Sequence, residues 1–177
     1  VKFEQYKAFF NPLFPQLYAL AYVLLPDDLQ AQQLMIDAFT RHFHKKDIGF
    51  DGLDFLQDET SAQRKRREIF KILSKTFLEL GQLRSKQMNV SAHPKEEDVS
   101  VGAFWELDLQ SRFVLWMHLK QGVSLEELEK KYQMSFTKSQ QILLSWRQSL
   151  KLKKQKENFV ESSQASHSNR KNFEGLR

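Results

Sequence analysis

Two groups of side chains in this sequence have the types and spacing to hold a polyanion. The first is the run Arg64, Lys65, Arg66 and Arg67, with Lys71 and Lys75 following at helical intervals. On a helix these cations recur along one side, and each phosphate they neutralise would release a condensed counterion. A solubilising charged face is the alternative reading of the same run. The second group is Lys138, Gln140 and Gln141, extended by Arg147, Lys151 and Lys154. Glutamine amides can read base edges, and the cations beyond them can continue onto phosphate. The solvated face of an ordinary helical bundle gives the same pattern, so that alternative also stays open. A formal charge of +5 and an isoelectric point near 9.3 favour an anionic partner over a basic or uncharged one.

Reactive chemistry has no such foothold. The chain has 0 Cys, which removes disulfides and thiolate metal sites. His42 and His44 lie two positions apart, so a helix points them to different sides. No glycine-rich phosphate loop or nucleophile elbow is present, and Glu126 and Glu127 read as first-turn helix charges. Phe70 and Phe77 fall on an apolar stripe, which core packing explains better than base stacking. The expectations are therefore no catalysis, no cofactor, no metal and no small-molecule substrate. The longest apolar run, Leu17 to Leu25, is too short for a membrane span, and the opening Val1-Lys2-Phe3-Glu4 lacks the pattern of an export signal. A soluble, cytoplasmic protein is expected, in keeping with the absence of Cys.

Helices must position both groups. With only 6 Gly and 4 Pro among 177 residues, and long stretches of Leu, Lys, Glu and Gln, the expected fold class is all-α. Asn11-Pro12 reads as the start of a helix to Leu25, stopped by Pro26. Asp27 caps a second, with Leu34, Ala38, Phe39 and Phe43 as its core stripe. A loop over 45–59 precedes a third helix over about 61–84, which buries Phe70, Leu73, Phe77 and Leu80. The apolar period is then lost, and Lys95-Glu96-Glu97-Asp98 marks a solvated linker. Asp108 caps a helix from Leu109 to Gln121 that Gly122 ends. Ser124 and Thr137 have capping-box spacing ahead of two more helices, separated by a short connection in helix-turn-helix order. Few apolar residues follow, so disorder is expected at the end of the chain. The predicted organisation is two small helical modules, 1–86 and 104–156, joined by a flexible linker over 87–103 and followed by a disordered tail over 157–177.

Two segments together resemble the bacterial RNA polymerase sigma factors, in particular the small extracytoplasmic-function group. Leu17-Tyr18-Ala19-Leu20-Ala21-Tyr22-Val23-Leu24-Leu25 and Ala31-Gln32-Gln33-Leu34-Met35-Ile36-Asp37-Ala38-Phe39 are similar to the family's polymerase-binding helices. Leu107 to Leu119, Gly122-Val123-Ser124-Leu125-Glu126-Glu127-Leu128 and Met134 to Leu150 follow its promoter-binding helix-turn-helix. The resemblance covers most of residues 9–151 and implies a non-enzymatic transcription initiation factor. Its partners would be core RNA polymerase, promoter DNA and a possible anti-sigma protein, with no membrane. It implies polymerase contacts at Gln32, Gln33, Asp37 and Arg41. It implies DNA contacts at Arg64, Lys65, Arg66, Arg67, Lys71, Lys75, Lys138, Gln140, Gln141, Arg147, Lys151 and Lys154. Gln32, Gln33 and Ile36 stand where the family usually has an acidic pair and a glutamine, and Ser139 and Ile142 where it commonly has a valine and an arginine. Glu129 replaces a small residue, while the basic residue at Arg147 is kept. These departures make a sigma-like adaptor for protein partners, without promoter recognition, the alternative reading.

Overall fold

The computed structural model describes residues 2–44, 58–88 and 99–171. All of its regular elements are helices, as the composition predicts: α1 (Lys2–Phe10), α2 (Phe14–Leu24), α3 (Asp28–His44), α4 (Glu59–Met88), α5 (Val99–Trp105), α6 (Leu109–Gln121), α7 (Leu125–Tyr132) and α8 (Phe136–Lys171). Among the described residues no helix is long and apolar enough to cross a membrane. Most of the predicted 45–59 loop, and residues 89–98 of the predicted linker, lie outside the described residues.

Local signals place most helix starts. The Asp27 carboxylate accepts from the Gln30 N–H at 2.9 Å, that of Asp108 from Ser111 at 2.9 Å, and the Ser124 hydroxyl from Glu127 at 3.2 Å. Asp58 holds the start of α4 through the N–H groups of Thr60 and Ser61. Gly122 takes the left-handed conformation after α6, with φ of 65°. Two starts differ from expectation. Residues 11–13 form a turn, not the first turn of a helix: α1 ends at Phe10, Pro12 has no N–H to continue it, and α2 begins at Phe14. Thr137 lies inside α8, whose cap is Ser135, accepting from the Lys138 N–H at 3.4 Å.

The two predicted modules share one core: Leu17, Leu24, Leu73 and Phe77 cluster with Leu109, Phe113, Val114, Met117 and Leu128. α6 packs on both α2 and α4, and is buried on most of its circumference, as a central helix must be. Gly81 of α4 is buried among them; a methyl added there would stand 3.5 Å from Leu109 and 3.6 Å from Leu24. Buried Arg112 donates from α6 to the Leu24 carbonyl at the end of α2, 3.1 Å away, and lies over the Trp105 ring at 5.6 Å. Burial lowers the pKa of this guanidinium, with Asp108 partly opposing the shift. Phe70 of α4 stacks with Trp116 of α6, their centroids 6.2 Å apart.

The predicted 87–103 linker is also shorter than expected, since α4 continues through Met88 and α5 begins at Val99. Phe104 and Trp105 of α5 then pack edge to face on Trp146 and Tyr22, which anchors that segment to both halves. Residues 157–171 continue α8. Extending an existing helix avoids the cost of nucleation, and no Gly or Pro interrupts this stretch. Residues 172–177 lie outside the described residues.

Candidate nucleic-acid interface

α7 and α8 are joined by the three-residue turn 133–135. Gln133 occupies the left-handed region at φ 56°, and its N–H closes the carbonyls at the end of α7. The Glu129 carboxylate reaches across to accept from the Phe136 N–H at 3.4 Å, so this acidic residue supports the start of α8. Met134, Ser139 and Leu143 are buried, and Ile142 packs against the core. Ser139 is only 2% exposed, which removes it from the outer face.

The opposite side of α8 is open. Lys138, Gln140, Gln141, Ser145, Arg147, Lys151 and Lys154 are all exposed. Helical geometry places Gln141 between Lys138 and Gln140 around the axis, while Gln140, Leu144, Arg147, Lys151 and Lys154 succeed one another at intervals of three or four. No acidic residue occurs between positions 136 and 156. Lys138 donates to the Gln110 side-chain carbonyl of α6 at 2.9 Å, a contact that positions its ammonium group at the rim of this face.

The other basic group is divided by the fold. Arg64, Arg67, Lys71 and Lys75 form one exposed row along α4. Lys65 instead pairs with Glu68 at 3.1 Å, and Arg66 with Glu59 at 2.7 Å while lying over the Phe9 ring. The first four remain available to an anion; the last two are partly neutralised in structural pairs. A residue absent from the sequence-based set, Lys131 of α7, stands beside Lys71. The Lys131 side chain beside it pulls the Lys71 ammonium below its ordinary pKa, whereas Lys131 is held above its own chiefly by its hydrogen bond to the Glu127 carboxylate. Only its tertiary placement distinguishes Lys131 from an ordinary partner of Glu127 one turn away.

The four predicted polymerase-contact residues on α3 also separate. Gln32 and Gln33 are exposed, but Asp37 accepts from Arg84 and from Gln33, and Arg41 pairs with Glu79 at 3.4 Å. Asp37 and Arg41 therefore tie α3 to α4 and are not simply outward groups. Between them the helix exposes two large apolar side chains, Leu29 at 71% and Ile36 at 57%. Among the described residues no group of three or more His, Asp or Glu could hold a metal ion, and the His42 ring bonds to the Thr76 hydroxyl at 2.5 Å. No family model, no curated protein and no solved structure matches this chain.

Proposed function

We propose that this chain is a divergent sigma-type transcription factor that brings RNA polymerase to promoter DNA and catalyses nothing itself. The observation that carries the reading is the open face of α8, with Lys138, Gln140 and Gln141 at its start, a basic row behind them and a buried opposite side. Such a helix, following a short turn after α7, can enter the major groove with its first turns while its later cations meet phosphate. Arg64 and Lys75, at the two ends of the exposed α4 row, offer further cations to the DNA backbone. Polymerase contact falls to Leu29, Gln32, Gln33 and Ile36 on the outer face of α3, where an apolar pair rimmed by amides suits a protein partner.

The test uses the full chain, because residues 104–156 share their core with the rest. Binding to a selected duplex and to its scrambled form is measured over a salt series. Gln141→Ala should cost roughly 1 to 3 kcal/mol on the selected duplex and relax preference there. Lys154→Ala should weaken both duplexes alike and lower the salt slope by about one unit. Equal affinity for both duplexes, unchanged by Gln141→Ala, would reject base reading. The second reading, a sigma-like adaptor for protein partners, is favoured by the exposed Leu29 and Ile36 and by the burial of Ser139. Co-elution with core polymerase that Ile36→Glu abolishes, together with no sequence preference on DNA, would select it.

A further inference from the structure

A cleft of about 650 Å³ opens where the two halves of the chain meet, between α4 on one side and α6 and α7 on the other. Arg66, Arg67, Lys71 and Lys131 line it, with Glu59 and Glu127 as its carboxylates. Both carboxylates are already engaged, Glu59 with Arg66 and Glu127 with Lys131. Arg67 and Lys71 have no ion-pair partner among the described residues, so the cleft carries two positive charges in excess. Lys71 and Lys131, from different helices, line the cleft beside the one Glu127 carboxylate, which bonds Lys131 and so only partly offsets their like-charge contact. The Nε of Arg66 is buried on the same wall without a hydrogen-bond partner among the described residues.

The rest of the lining is of another kind. Leu13, Phe70, Met117 and Val123 give apolar walls, while Gln63 and Gln121 supply amides. Pockets of this volume, apolar with a few convergent polar groups, suit a small organic ligand. A guanidinium and two ammonium groups converging on one end suit phosphate, because they combine planar fork geometry with point charges. We infer that this cleft binds a small phosphorylated molecule of mononucleotide size, its phosphate held by Arg67, Lys71 and Lys131 and its uncharged body against Phe70 and Met117. The site is separate from the base-reading face of α8, since no residue of that face lines the cleft. A ligand seated there bridges α4 and α7, and so holds the two halves of the chain together.

The test is calorimetric titration of the full chain with adenosine monophosphate and with inorganic pyrophosphate at physiological salt. Saturable binding of either is expected, weakened at least tenfold by Arg67→Gln and by Lys71→Gln. Lys75→Gln, on the same row but outside the cleft, should leave it unchanged. Without ligand, Lys71→Gln should be at least as resistant to heat as the parent, because it removes a like-charge contact; lost binding then cannot be ascribed to unfolding. Both ligands should raise the melting temperature of the parent and fail to raise that of Lys71→Gln. The inference is overturned by no saturable binding of either probe, or by equal weakening in Lys75→Gln. It is also overturned if duplex DNA displaces adenosine monophosphate through Lys71, which would make this surface a nucleic-acid contact.

Discussion

Replacing Ser74 and Tyr132 singly and together probes whether α7 is seated on α4. Their hydroxyl oxygens lie 2.9 Å apart across 58 positions of sequence, and the residues are 0% and 6% exposed. Ser74 also donates to the Lys71 carbonyl at 3.1 Å, which leaves the phenol as donor in the shared bond. Tyr132→Phe therefore removes one neutral hydrogen bond without stranding Ser74, at an expected cost of about 1 kcal/mol. Ser74→Ala strands the buried phenol and should cost roughly 1 to 3 kcal/mol. Since the second change has no shared bond left to break, the cycle should show a coupling energy of about 1 kcal/mol. Urea unfolding of the full chain, followed by tryptophan fluorescence, gives all four stabilities. Burial pushes the Tyr132 phenol above its ordinary pKa of 10.0, while the Ser74 hydroxyl, which can rotate to donate once the phenol ionises, holds it back, so Ser74→Ala should raise it further in an ultraviolet titration. The neutral phenol favours the folded chain, and its contribution is complete below pH 10 and lost as pH rises through the raised value. A coupling energy within about 0.3 kcal/mol of zero would refute the docking of the two halves.

Three further outcomes follow from the same packing. Gly81→Ala should stabilise the chain by roughly 1 kcal/mol in urea unfolding, because it removes a helix-interior glycine and adds a methyl at ordinary contact distance from Leu109 and Leu24. Asp37→Lys should lower stability by about 1 kcal/mol by placing a cation against Arg84, whereas Gln32→Ala should not; equal effects in thermal melts would contradict the α3 to α4 ion pair. Hydrogen bonds from Ser61 and Thr60 hold the Asp58 carboxyl below its ordinary value of 3.8. Its contribution is therefore present above that value and lost as pH falls through the depressed one, a dependence that Asp58→Asn should reduce in acid melts.

The helical class and most helix ends are legible in the local sequence, because the groups concerned lie within a few positions of one another. Asp27, Asp108 and Ser124 each bond an N–H three residues on, and Gly122 takes the conformation its position demands. Ser135 and Thr137 were equivalent as caps by type; the burial of Met134 and Ser139 decided between them. The basic and amide residues of α8 were likewise legible, since their exposure follows from the apolar positions of the same helix. A helix buried on most sides, as α6 is, carries a local hint that it serves more than one neighbour. What it packs against has no local signature. Arg112 finds the Leu24 carbonyl 88 positions away, Tyr132 finds Ser74, and Lys131 comes to stand beside Lys71. The tertiary structure alone decided that the two halves share a core, that Asp37 and Arg41 serve α4, and that cations from two helices converge on one cleft. Side-chain period records which face of a helix is apolar, but the choice of the surface that covers it depends on shape and charge distributed along the whole chain.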